Sequence, residues 1–138
     1  MLKKLPQEIA TWYIIPTIRR EFVKELIAKG LSQKKAADKL GLTEAAVSNY
    51  MKDRRAAEVQ LNDHIKSLIK TSVENILTKN SDVFTEIYKI VSECEKDLTV
   101  CQIHMIYDEV PEGCAVCFES KTLKPDLIPL KNILKEKV

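Results

Sequence analysis

Glycine is scarce in this chain, three residues among 138, and proline contributes only five. A disordered or collagen-like chain would be richer in both, and long flexible linkers have little to be made from. Aromatic residues make up only 6% of the sequence. Leu, Ile, Lys and Glu are plentiful, a balance that favours a mainly α fold. No run reaches the ~18–20 apolar residues of a membrane-spanning helix. After Lys3 and Lys4, Glu8 interrupts before a signal-peptide core can develop. These absences predict a soluble, cytoplasmic protein with no membrane partner. Catalytic signatures are missing too: there is no phosphate-binding glycine loop, no nucleophile with a plausible His partner and no readable carboxylate pair. An enzyme is therefore not expected, nor a small-molecule substrate.

The chain is long enough for one ordinary core, or for two small units sharing one. Its net charge of +2 conceals an uneven distribution. From Pro16 to Ala57 ten Lys/Arg face five Asp/Glu, whereas from Glu58 to Val138 ten face fourteen. A basic module on an acidic body fits an anionic ligand at one end and protein contacts at the other.

Apolar residues at helical spacing (Ile9, Trp12, Tyr13, Ile15, Ile18, Phe22, Leu26) predict a helix over Ile9–Ile27, buried on much of its circumference. Pro16 is expected to kink or divide it, and Gly30 to stop it. A strand over Thr11–Ile15 is the alternative for its early part. Ser32 can cap a helix to about Leu40, and a second capped helix runs from Glu44 to about Met51. Two amphipathic helices follow, Val59–Thr78 and Val83–Glu93, separated by a turn and cap at Asn80-Ser81-Asp82. The periodicity breaks down between Cys94 and Cys117. The tail beyond Phe118 carries an apolar group, Leu127 to Leu134, able to dock on the body or on a second copy.

The segment from Leu31 to Met51 has the requirements of a helix-turn-helix. Ala37 is a small residue where two helices cross, Gly41 tolerates positive φ in the turn, and Leu40, Leu42, Val47 and Tyr50 are spaced to hold the second helix down. The exposed face of that helix would present Thr43, Glu44, Ala45, Ser48, Asn49 and Lys52 to the edges of base pairs in a major groove. Lys52, Arg54 and Arg55 are expected on phosphates. The competing reading is a helical hairpin that merely packs.

With Leu31-Ser32-Gln33, Ala37, Leu40-Gly41 and Val47-Ser48-Asn49-Tyr50 ending near basic residues, the stretch from Phe22 to Arg55 resembles the lambda-repressor/Cro-like regulators. The resemblance implies a DNA-binding transcriptional regulator, with Gln33 near a phosphate and Thr43–Asn49 at the bases. Such repressors often carry Gln where this chain has Glu44. A carboxylate accepts only from a donor such as cytosine N4 and repels phosphate, so their base code does not transfer. The stretch from Trp12 to Arg19, taken with the late cysteines, resembles a group of short archaeal regulators of this architecture.

All four cysteines fall within 24 residues, as Cys94-x6-Cys101-x2-His104-x9-Cys114-x2-Cys117. In a reducing compartment such a cluster reads as metal ligands or redox groups rather than structural disulfides. Zinc would take Cys101, His104, Cys114 and Cys117; an iron–sulfur cluster would take Cys94, Cys101, Cys114 and Cys117, leaving His104 outside or as a replacement ligand. Buried or reversibly paired thiols are the plain alternative. His64 reads as a solvated residue on the polar side of its helix.

The resulting organisation is a helix-turn-helix domain over 1–57, a helical connector or dimerisation region over 58–93, and a small Cys-rich, metal-binding segment with its tail over 94–138. The expected partners are double-stranded DNA and a second copy, since one helix-turn-helix reads only a few base pairs. The other functional class to weigh is a metal-stabilised or redox-linked protein–protein adaptor that does not bind DNA.

Overall fold

The computed structural model describes residues 4–52, 59–111 and 114. Its elements are α1 (Pro6–Ile9), a π turn (Ala10–Ile14), α2 (Ile15–Ala28), α3 (Gln33–Leu40), α4 (Glu44–Met51), α5 (Asp63–Thr78), α6 (Val83–Lys96) and α7 (Thr99–Tyr107). Among the described residues there is no strand, so the run Thr11–Ile15 is helical.

The first three elements are one continuous rod, because the residues at both junctions keep right-handed helical angles. Pro16 does not divide it. Proline has no N–H for the carbonyl one turn back, and its ring crowds that carbonyl. Here the turn just before it widens, with the Ile15 N–H reaching five residues back to Ala10. Thr17 Oγ1 donates to the Tyr13 carbonyl at 2.6 Å. Single π turns inside α-helices absorb distortions of this kind.

This rod is the spine of the molecule. Along its length Ile9, Ile14, Ile18, Phe22 and Leu26 are buried together with Ile65, Ile69, Val73 and Ile76 of α5 and Ile90 and Cys94 of α6. Val100 and Ile103 of α7 close the same core. Val59 and Leu61 are buried ahead of α5. Its helix begins later than the periodicity implies, at Asp63, because Asn62 caps it by accepting the Ile65 N–H at 2.8 Å. Asp82 caps α6 in the same way through Thr85.

The region from Cys94 onward is more regular than its pattern implies. α6 runs through Cys94 to Lys96, and α7 starts only three residues later. Between them Leu98 takes φ 67°, a left-handed conformation uncommon outside glycine. That one residue resets the helical phase, so no single period spans the segment.

No helix among the described residues is long and apolar enough to cross a membrane.

Candidate nucleic-acid interface

α3 and α4 pack on the C-terminal end of the spine around a separate small core. Val23 from α2, Ala37 from α3 and Val47 and Tyr50 from α4 are buried together, with Ile27, Leu40, Leu42 and Met51 against them. Ala37 is small at the centre of this contact, which lets the helices approach closely.

Each helix is started by a side chain and the first is stopped by a backbone device. Ser32 Oγ accepts from the Lys35 N–H at 3.2 Å, and Thr43 Oγ1 accepts from the Ala46 N–H at 3.1 Å. α3 ends at Gly41, whose φ of 64° and ψ of 31° are left-handed. There the Gly41 and Leu42 N–H groups both reach the Ala37 carbonyl, Leu42 at 3.0 Å. This cap satisfies a helix-end carbonyl and turns the chain sharply into α4.

The turn leaves one face of α4 bare. Thr43, Glu44 and Ala45 are exposed, Ser48 and Asn49 are half-exposed, and Lys52 is exposed at the helix end. Gln33 is exposed at the start of α3. Arg54 and Arg55 lie outside the described residues. A short helix seated by Val47 and Tyr50, with small polar side chains at its exposed start, has the shape that enters a major groove.

Residues 23–61 match the helix-turn-helix family model. The chain carries a helix-turn-helix of the lambda-repressor/Cro-like type. The match covers both helices, their turn and Val23, the residue of the spine that completes their core. No curated protein and no solved structure matches the chain.

The helix-turn-helix packs on the C-terminal end of the spine, and α7, which carries Cys101, packs on its N-terminal end. The expected metal site is not assembled among the described residues, where no three His, Cys, Asp or Glu side chains converge on a common point. Cys94 is fully buried in the main core. Burial pushes its thiol up to about 12, and the negative charges of Asp97, Glu95 and Glu93 add to the effect. His104 is also buried, with Nε2 2.9 Å from the Asp108 carboxylate. Cys101 and Cys114 are partly exposed free thiols. Cys117 lies outside the described residues.

Three features of that end were not foreseen from the sequence. The Asp108 carboxylate accepts the backbone N–H of Lys4 at 3.0 Å, Lys4 Nζ reaches the Tyr107 carbonyl at 3.4 Å, and the rings of Tyr13 and Tyr107 stack with centroids 4.3 Å apart. They close the N-terminal end of the spine onto α7. His64 is exposed, 3.8 Å from the Glu93 carboxylate.

Proposed function

We propose that the protein is a sequence-specific transcriptional regulator that reads double-stranded DNA with α4 and works as a homodimer. The observation that carries this reading is the bare face of α4. Val47 and Tyr50 seat the helix, while Thr43, Glu44, Ala45, Ser48 and Asn49 remain available for base edges. Gln33, at the exposed start of α3, stands where a helix N-terminus meets a phosphate. Lys52, with Arg54 and Arg55 after it, supplies the positive charge that neutralises the backbone. Dimerisation follows from the short reach of one recognition helix, because two copies address half-sites one helical turn, roughly 34 Å, apart.

The test is selection of bound duplexes from random DNA, followed by binding curves over a range of salt. A recovered motif, with affinity falling as salt rises, is the expected result. Neutralising Lys52, Arg54 and Arg55 together should weaken binding to all sequences and reduce the slope by up to about three phosphate contacts. No enriched motif and no salt-dependent duplex binding would refute DNA reading and leave the adaptor role.

A metal or redox response is the finer part of the proposal. With Cys94 sealed in the core, the residues left to hold zinc or an iron–sulfur cluster are Cys101, Cys114 and Cys117, and His104 is the fourth candidate, through Nδ1 with Nε2 kept on Asp108. Metal analysis of protein purified without oxygen tests this. Bound zinc or iron lost on Cys114→Ser supports it, and metal-free folded protein rejects it.

A further inference from the structure

Glu86 is buried on α6, only 5% exposed, although a carboxylate is rarely sealed away without a close partner. The charge that answers it is Lys89, whose Nζ stands 3.9 Å away, too far for a hydrogen bond. That lysine reaches in from outside, with its own side chain 66% exposed. Glu93, one turn further along α6, is better matched, with Lys96 at 3.5 Å and His64 at 3.8 Å.

A second polar group lies across from Glu86. Ser72 of α5 is also buried, at 6% exposure, and both residues line one groove of about 410 Å³ between α5 and α6. Neither side chain makes a hydrogen bond among the described residues. Yet no side-chain oxygen there is both sealed from solvent and without a partner. The small exposed remainder of each residue therefore includes its oxygens, and these open on the groove. Leu68 and Ile90 give the groove apolar walls, and Asn75 stands beside Ser72 on the α5 side. A volume within the ~300–1,000 Å³ of small-molecule sites, apolar walls and a few buried polar groups together describe a ligand pocket.

We infer that this groove binds a small organic amine in its protonated form, with the ammonium on Glu86 and an apolar body against Leu68 and Ile90. A carboxylate can only accept, and its strongest partner is a charged donor. The three N–H groups of a primary ammonium match the Glu86 carboxylate, the Ser72 hydroxyl and the Asn75 side-chain oxygen. A metal ion would lack ligands, because no three His, Cys, Asp or Glu side chains converge among the described residues. Lys89 is the resident competitor. An ammonium in the groove takes over Glu86 and releases the lysine to water, where its long side chain already lies. The site is built from α5 and α6 alone, so it stands apart from the face of α4.

The experiment is titration of the full chain with phenethylamine, followed by calorimetry and by amide shifts in NMR. Phenethyl alcohol and phenylacetate, similar in shape but neutral and anionic, are the comparison probes. Phenethylamine should bind saturably at one site, with shifts concentrated in α5 and α6, and at least about tenfold more tightly than either comparison probe. Glu86→Gln, which keeps the shape and removes the charge, should weaken the amine by about tenfold or more. Lys89→Gln alters an exposed side chain and leaves the fold intact. It should tighten amine binding several-fold, because the competing ammonium is gone. No saturable binding to the folded wild type, equal binding of the three probes, or weaker binding in Lys89→Gln would each overturn the inference.

Discussion

Asp108, the residue that ends α7, and His104, one turn earlier, are joined by a 2.9 Å contact, with side chains only 2% and 6% exposed. The same carboxylate oxygen accepts the backbone N–H of Lys4, 104 residues earlier in the chain. One buried carboxylate thus holds the end of the last described helix to the start of the spine.

Removing that carboxylate strands two partners in a place water reaches poorly. Asp108→Ala is expected to cost about 1–3 kcal/mol, the penalty for buried polar groups left unmatched. Urea unfolding measures the loss, and hydrogen exchange should show it concentrated in α1 and α7, with the helix-turn-helix unaffected. A change below ~0.5 kcal/mol, the usual scatter of surface substitutions, would mean that water replaces the carboxylate freely.

A second polar latch joins the start of α5 to the α6–α7 junction. Asn62 Nδ2 donates to Asp97 Oδ2 at 3.0 Å and to Thr99 Oγ1 at 3.3 Å. Burial pulls the Asp97 carboxyl upward, but hydrogen bonds from Thr99 and Asn62, with the nearby His64, outweigh it and hold the group below the usual carboxylate range. A carboxyl lower in the folded than in the unfolded chain adds stability above its unfolded value of ~3.9, and that stability fades as pH falls through the folded value. Asp97→Asn should therefore flatten the acid side of the stability profile. Urea midpoints between neutral and acid pH read this directly, and equal slopes for the two proteins would contradict it. Asn62→Ala, which also uncaps α5, should cost about 1 kcal/mol at neutral pH.

These two latches mark where the sequence is legible and where it is not. The helix-turn-helix can be read because its determinants are local: caps at Ser32 and Thr43, a left-handed glycine at 41, and a small residue at 37 facing Val47 ten positions on. Lys4 and Asp108 carry no such signal, because nothing in the spacing of residues 104 apart says that they meet. Pro16 has a local signal, but its outcome depends on packing. The buried faces of Ile9, Ile14 and Ile18 hold the rod together, and the distortion is confined to one turn. α7 was obscured by Leu98, whose left-handed backbone shifts the phase of the apolar residues without a glycine to announce it. The clustering of cysteines was legible, yet their roles were not, since burial separates Cys94 from Cys101 and Cys114.

That separation has a chemical consequence. With its thiol pushed up to about 12 by burial and the surrounding carboxylates, Cys94 is almost wholly protonated near neutral pH. It should react with a disulfide reagent only when the fold opens, while Cys101 and Cys114 react in the native state. A variant retaining Cys94 alone makes the comparison clean. Its labelling rate should rise sharply with urea at the unfolding transition. Prompt labelling of the native protein at pH 8 would show that the thiol is accessible after all.

Gly41 separates the scaffold of the helix-turn-helix from the face that reads DNA. At φ 64° a Cβ would meet no atom within 4 Å, so a substitution there pays only for the left-handed backbone. For alanine that cost is ~1–2 kcal/mol, and asparagine, which tolerates this region, should lose less. In a chain of this size each kcal/mol lowers the thermal midpoint by ~2–6 °C. Gly41→Ala is thus expected to melt earlier than Gly41→Asn, and both earlier than wild type. Neither side chain lies on the bare face of α4, so affinity for a selected duplex should stay within about twofold wherever the protein is folded, a change worth under ~0.5 kcal/mol. Ser48→Ala and Asn49→Ala should behave in the opposite way, keeping the midpoint and losing affinity for the selected sequence by about 1–3 kcal/mol where a base contact is removed. Calorimetry and binding curves on the same four proteins decide the matter. If Gly41→Ala loses affinity as steeply as Asn49→Ala while still folded, the turn itself sets the angle of α4 in the groove.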